Sequence, residues 1–333
     1  MAGSGNAHLR PRDEVLLRVE DLVVEFPAGR ARGRTVSAVA GVSFDLRRGE
    51  TLGIVGESGC GKSSAARALV QLPPPRSGSV LLDGQELTAL RGEALRRTRR
   101  RLQMIFQDPI SSLNPRRRVR DIVGEGPHVW RLPGDRVDEV LEAVGLDPRT
   151  AAERRPHEFS GGQCQRISIA RALILEPEVV ICDEPVSALD VSVQAQILNL
   201  LEDLKARYRL TLVFIAHDLA VVKNVSDRVM VMYLGKVCEL APGEDLISRP
   251  AHPYTRALIA SIPSSERPAE TLITGEPPSP VDPPSGCRFR TRCPRATDRC
   301  SLEEPQIRQV GEDHWLACHN PATTERHRDS SAP

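Results

Sequence analysis

The sequence predicts an α/β fold built on a mainly parallel sheet, with a small C-terminal appendage, and three observations carry that expectation. From Val15 to about residue 245, β-rich runs alternate with helix-forming runs, the pattern of helices layered on a parallel sheet. One such run, TLGIVG, leads through a glycine-rich turn directly into a helix-forming stretch. After about Leu246 proline content climbs, apolar periodicity fades and four cysteines cluster.

In chain order, LLRVEDLVVEF and SAVAGVSFDL read as the first strands, and TLGIVG as the next. The helix-forming stretch from Lys62 to Leu72 is stopped by three prolines. SGSVLLDGQEL reads as two short strands about the turn Asp83-Gly84, and RLQMIF as another strand. From about Asp108 to Arg171 the pattern is helical, with Val137, Val140, Leu141 and Val144 on one face. Strand patterning returns in VVIC at 179–182, TLVFIA at 211–216 and RVMVMYL from Arg228, with a helix carrying Ile197, Leu200, Leu201 and Leu204 between the first two.

The 333 residues exceed one domain of roughly 100–200 residues, which suggests a main body plus an appendage. Hydrophobic content of 40% with 27% charge leaves ample material for a core and argues against disorder. No uncharged apolar stretch approaches the about 20 residues that cross a bilayer, and MAGSGNAHLRPRDE lacks a signal-peptide apolar region. The expectation is a cytoplasmic chain. A formal net charge of +1 gives no global attraction to nucleic acid or anionic membrane, so membrane attachment is expected through another protein. The arginine-rich run from Arg96 to Arg101 reads as a solvated helix face rather than a nucleic-acid contact.

The strongest signal is Gly56-Glu57-Ser58-Gly59-Cys60-Gly61-Lys62-Ser63-Ser64, which fits G-x-x-x-x-G-K-[ST] between a strand and a helix. Glycines let successive backbone N–H groups turn inward around phosphates, and the helix N-terminus adds partial positive charge. Lys62 is then placed to reach the β- and γ-phosphates of ATP, and Ser63 to ligate Mg²⁺. The apolar run Val179 to Cys182 delivers two adjacent carboxylates. Asp183 can hold Mg²⁺ while Glu184 accepts hydrogen bonds from an attacking water.

Further motifs give a family resemblance. Phe159-Ser160-Gly161-Gly162-Gln163 resembles the Leu-Ser-Gly-Gly-Gln signature of the ATP-binding cassette ATPases of ABC transporters, with Phe for Leu. Gln107 in IFQDP matches the Q-loop, Ser187-Ala188-Leu189-Asp190 the D-loop, and His217 after TLVFIA the H-switch. The resemblance implies a P-loop cassette with a RecA-like core, a β subdomain and an α-helical subdomain at about 108–171. It implies that Ser160, Gly161, Gly162 and Gln163 contact ATP held by an opposite subunit, so that two cassettes close head to tail. Gln107 then joins Ser63 and Asp183 around Mg²⁺ and, with Glu184 and His217, serves hydrolysis. Phe26 is the best-placed aromatic to stack on adenine, with the insertion Arg30 to Arg34 following it.

Gln107-Asp108-Pro109 with Ser112-Leu113-Asn114-Pro115, and His252-Pro253-Tyr254-Thr255, narrow the resemblance to dipeptide, oligopeptide and nickel importers. It spans Val15 to His319 and implies a peptide importer, with nickel or another small solute as the alternative and a soluble, non-transport ABC ATPase as a further one. The implied partners are a second cassette, homologous or identical, two transmembrane permease subunits and, indirectly, an extracytoplasmic solute-binding protein, on the cytoplasmic face of the membrane. The organisation is then a flexible N-terminus at 1–14, a nucleotide-binding domain at 15–245, an extension at 246–320 and a disordered tail at 321–333. In that extension Cys287, Cys293, Cys300 and Cys318 are spaced C-x5-C-x6-C-x17-C. Four thiolates suit zinc or an iron–sulfur cubane, with bare thiols a third state. The lack of paired C-x2-C knuckles, and the resembled subfamily itself, favour [4Fe–4S].

Overall fold

Two sheets of different character carry the fold in the computed structural model, which describes residues 5–28, 35–132, 135–262 and 275–322. The smaller is antiparallel: β1 (Leu17–Pro27), β2 (Thr35–Leu46), β4 (Ser77–Leu82) and β5 (Gln85–Glu86), in the order β2-β1-β4-β5. The larger contains β3 (Thr51–Val55), β6 (Leu102–Ile105), β7 (Val179–Asp183), β8 (Thr211–Ile215), β9 (Arg228–Tyr233), β10 (Lys236–Pro242), β11 (Arg308–Gly311) and β12 (His314–Leu316). Its order is β11-β12-β10-β9-β3-β8-β7-β6.

Pairing from β9 through β3, β8 and β7 to β6 is parallel. Every residue of β3, β7 and β8 is buried. That explains their continuous apolar runs, since a parallel strand is covered on both faces. One apolar cluster fills the space beneath the antiparallel sheet and around the helix Lys62–Leu69. The other packs the opposite face under the helices inserted between β6 and β7. There Val137, Val140, Leu141 and Val144 are all buried, as their spacing predicts, against the helix Gly161–Leu173.

Three sequence expectations change. The helix after the glycine-rich turn ends at Leu69 rather than Leu72, because Gln71 takes a left-handed backbone, φ 55°, ahead of the prolines. The expected flexible stretch 1–14 is held in residues 5–14: His8 is buried, and Arg10 pairs with Glu50 at 2.6 Å. The extension 246–320, expected as a separate small domain, is stitched to the main sheet through β12, where Leu316 pairs with Glu239 and Trp315 with Leu240. The fully buried Glu239 carboxylate fixes that junction by accepting hydrogen bonds from the backbone N–H groups of Ala251 and His252 and contacting His314 Nε2 at 2.6 Å. The tail from 323, and the insertion Arg30 to Arg34, lie outside the described residues. Among the described residues, no helix is long and apolar enough to cross a membrane.

The arginine run lies on the helix Gly92–Arg101 and is largely spoken for by the protein itself. Arg99 donates to the Val70 and Gln71 carbonyls at 2.8 and 3.0 Å, Arg101 pairs with Glu178 and Asp83, and Arg96 lies over the Trp130 ring at 4.8 Å. An aromatic partner does accompany the run, but within the fold.

Candidate nucleotide site

Gly56 through Gly61 leave β3 in a loop whose first and last positions admit only glycine. A Cβ on Gly56 would sit 2.1 Å from the Met232 carbonyl, and one on Gly61 2.0 Å from that of Ala38, both at positive φ. The loop is also bonded to its surroundings: Gly235 N–H donates to the Cys60 carbonyl at 2.8 Å, and Cys60 N–H to that of Glu57 at 3.2 Å. Lys62 opens the helix Lys62–Leu69 with its side chain folded inward, donating to the carbonyls of Gly56 at 2.7 Å and Glu57 at 3.2 Å. Burial pushes the Cys60 thiol pKa up against the pull of Lys62, so that the thiol stays protonated.

The end of β7 meets this loop. Ser63 Oγ donates to Asp183 Oδ1 at 2.6 Å, while Asp183 Oδ2 is buried without a hydrogen-bond partner, 3.8 Å from the Arg67 guanidinium. A buried carboxylate oxygen with no donor beside a serine hydroxyl is an oxygen-rich setting that suits Mg²⁺, which uses few protein ligands and completes its shell with water and phosphate. Glu184, next in the chain, adopts φ 48°, an uncommon backbone for a non-glycine residue. That turn brings Glu184 Oε1 to 4.0 Å from Lys62 Nζ. Gln107, just past β6, donates from Nε2 to Glu184 Oε2 at 2.8 Å. His217, just past β8, is exposed and lines a small cavity with Glu184, Ser187, Gln194 and Ala216. Lys62, Ser63, Gln107, Asp183, Glu184 and His217 thus gather at one end of the parallel strands, the usual ligand edge of such sheets.

Ser160 starts the helix Gly161–Leu173 with a capping box: its Oγ accepts from Gln163 N–H at 3.4 Å, and its N–H donates to Gln163 Oε1 at 3.0 Å. Both residues are exposed, with Gly161 and Gly162 half-buried between them. Asp190 is exposed at the N-cap of the helix Val191–Tyr208, and Gln194 steadies the preceding turn by donating to the Val186 and Leu189 carbonyls. Phe26 is half-buried on β1 and packs on the apolar cluster under the antiparallel sheet.

The cysteine expectation is corrected in part. Among the described residues, no three His, Cys, Asp or Glu side chains are set to hold one metal ion. Cys287, Cys293, Cys300 and Cys318 are free thiols. Burial pushes Cys287 up to about 11 and Cys318 up to about 12, and raises Cys293, which favours the protonated thiol over the thiolate that metals require.

Sequence reasoning missed one contact. His252-Pro253-Tyr254-Thr255 served only as a family marker, yet Glu57 N–H donates to Tyr254 Oη at 2.8 Å. A tyrosine nearly 200 residues downstream gives no local signal of such a contact, which becomes visible only once the helix Pro253–Ala260 is folded back onto the glycine-rich loop.

A phosphate-loop ATPase of the ABC type is the class this fold and site define. Residues 39–187 match the family model described as ABC transporter, and residues 238–300 the model described as Oligopeptide/dipeptide transporter, C-terminal region. The chain is 49% identical over 321 residues to the oligopeptide transport ATP-binding protein AppF of Bacillus subtilis, covering 92% of this chain and 97% of that protein. It is 48% identical over 322 residues to the oligopeptide transport ATP-binding protein OppF of Haemophilus influenzae, with the same coverage. Among solved structures it resembles cbiO1 of Clostridium perfringens, part of the ABC transporter complex cbiONQ, with a TM-score of 0.62 and 28% identity over 71% of this chain and 92% of that one. The ATP-binding cassette MJ0796, solved as a dimer in a post-hydrolysis state with ADP and Pi, gives 0.61 and 28% identity, covering 68% and 98%. The chain belongs to the ATP-hydrolysing subunits of ABC transporters, in the branch that carries the oligopeptide/dipeptide C-terminal region.

Proposed function

We propose that this chain binds and hydrolyses ATP to power an importer of di- or oligopeptides, working with a second cassette, two membrane-spanning permease subunits and an extracytoplasmic solute-binding protein. It acts as a peripheral subunit on the cytoplasmic face of the membrane. The names of its relatives support peptide over nickel. The observation that carries the coupling is the 2.8 Å hydrogen bond from Gln107 to Glu184, because it joins the first residue of the helical insertion to the carboxylate beside the phosphate loop.

In this reading the N–H groups of Gly56 to Ser64 and the Lys62 ammonium bind the triphosphate, with Phe26 stacking on adenine. Ser63, Asp183 and Gln107 hold Mg²⁺, which when bound neutralises charge on the β- and γ-phosphates. Glu184 accepts a proton-bearing hydrogen bond from the attacking water and aims it in line with the γ-phosphorus, and His217 hydrogen-bonds the γ-phosphate. Ser160 to Gln163, exposed at a helix N-terminus, complete the site of the facing cassette, with Asp190 beside the interface. Because ATP binds the closed pair better than the open one, closure moves the attached permease subunits. Reconstituted with its partners in lipid vesicles, the protein is expected to take up peptide with ATP, and the Lys62→Ala transporter to take up none; uptake independent of Lys62 contradicts the assignment.

For the thiols, the finer reading is a [4Fe–4S] ligand set of Cys287, Cys293, Cys300 and Cys318. Its support is the spacing of the four cysteines alone, since among the described residues no three candidate ligands come together on one ion. Iron and sulfide analysis of anaerobically purified protein checks it; iron-free protein, or stoichiometric zinc, contradicts it.

A further inference from the structure

The phosphate loop is gripped from outside by two side chains of the C-terminal segment, and both grips fall on Glu57. Tyr254 Oη accepts the Glu57 N–H at 2.8 Å. Arg292 donates from Nη1 and Nη2 to the two Glu57 carboxylate oxygens at 2.8 and 3.1 Å, the bidentate geometry of a strong pair. Neither grip is loose. Tyr254 is fully buried and the Arg292 side chain is 7% exposed. Arg292 also donates to Tyr233 Oη at 3.2 Å, and the Tyr233 ring packs edge-on with Tyr254 and Phe289 at 4.7 and 5.1 Å between centroids, with Tyr254 and Phe289 tilted at 5.3 Å. His252 caps the helix Pro253–Ala260 by accepting the Tyr254 N–H at Nδ1, 3.0 Å away.

Two physical consequences follow for a loop that must receive a triphosphate. Glu57 is held on both sides of its backbone, its N–H by Tyr254 and its carbonyl by Lys62 at 3.2 Å, so Tyr254 limits where the loop and Lys62 can sit. A loop ordered beforehand does not spend binding energy on ordering itself. The second concerns charge. A carboxylate placed in a phosphate-binding loop repels the polyanion it serves, and a half-buried one is weakly screened. The guanidinium of Arg292 cancels that charge where it stands.

We propose that Arg292 and Tyr254 are positioning residues for ATP: Tyr254 fixes the Glu57 backbone, and Arg292 neutralises the Glu57 carboxylate that would otherwise oppose the phosphates. The proposal rests on the reading of Gly56 to Ser64 as the nucleotide cradle. It also gives the C-terminal segment a task inside the ATP site that neither the cradle motif nor the cysteines assign to it.

The test is steady-state ATPase kinetics of the assembled transporter, reading KM for ATP apart from kcat. Arg292→Ala is expected to raise KM by about 5- to 10-fold with kcat at saturation within about 2-fold. Adding Glu57→Gln to Arg292→Ala is expected to return KM to within about 2-fold of the parent, since the uncompensated charge is gone, and Arg292→Lys to fall between. Tyr254→Phe, which keeps the ring packing, is expected to raise KM by about 3-fold and serves if Arg292→Ala does not fold. An unchanged KM in Arg292→Ala, or a raised one that Glu57→Gln does not restore, overturns the charge role; an unchanged KM in Tyr254→Phe overturns the backbone role. Lys62→Ala separates the two levels. If it still binds ATP, the cradle reading fails; if it loses ATP while Arg292→Ala and Tyr254→Phe match the parent, only this proposal fails.

Discussion

Ser63 Oγ donates to Asp183 Oδ1 across 2.6 Å, tying the first turn after the glycine-rich loop to the end of β7. Two motifs 120 residues apart in sequence meet in one hydrogen bond, and the free Oδ2 beside it is the atom left for a cation or its water. Ser63→Ala and Asp183→Asn are each expected to weaken the apparent Mg²⁺ affinity of ATP hydrolysis by about 10-fold or more, as loss of a ligand or of its supporting bond does elsewhere. A Mg²⁺ titration of ATPase activity reads this directly, and an unshifted midpoint would remove the pair from the cation site.

The exposed helix start at Ser160 supports a role toward a second cassette rather than toward its own nucleotide. Ser160→Arg is expected to leave ATP binding by the variant chain within about 2-fold, yet to lower ATPase activity of the assembled transporter by about 10-fold or more. Equal loss of binding in the isolated chain would place Ser160 in the wrong site.

Stability at low pH follows from a buried network behind the sheet. Arg228 Nε donates to Glu50 Oε1 at 2.5 Å, and Arg10 Nη1 to Glu50 Oε2 at 2.6 Å. Burial raises the Glu50 pKa, but the Arg10 hydrogen bond, the Arg228 charge and hydrogen bond, and the Arg47 N–H outweigh it and hold the carboxyl below its ordinary range. With the folded pKa below the unfolded one, the unfolded chain binds more protons, so this stabilisation is full above the ordinary carboxylate pKa and is lost as pH falls through the folded value. Glu50→Gln is expected to cost about 3–5 kcal/mol near neutrality, since it leaves buried arginines underpaired. In urea unfolding the gap between Glu50→Gln and the parent should shrink as pH falls below the ordinary carboxylate range; a constant gap would show that the carboxylate charge contributes nothing.

Much of this was legible from the chain alone, for local reasons. The buried strands TLGIV, VVICD and TLVFI announce themselves because burial on both faces leaves no polar alternation to confuse them. The glycine-rich loop is legible because Gly56 and Gly61 stand where a Cβ cannot fit. What stayed hidden is set by distant partners. The strand His314–Leu316 is too short to carry a pattern and exists because β10 offers it an edge. The hold of Tyr254 and Arg292 on Glu57 joins residues 197 and 235 positions apart and leaves no trace in spacing. The cysteines show the same limit: their spacing suggests a ligand set, but among the described residues no three candidate ligands come together on one ion.

The central claim is that Glu184, turned toward Lys62 by its left-handed backbone and held by Gln107, activates the water that cleaves ATP in the Gly56–Ser64 cradle. Single-turnover hydrolysis of bound ATP by the Glu184→Gln protein tests it most directly. The expected result is ATP retained at parental affinity, with cleavage slowed by about 100-fold or more. Cleavage at the parental rate would contradict it.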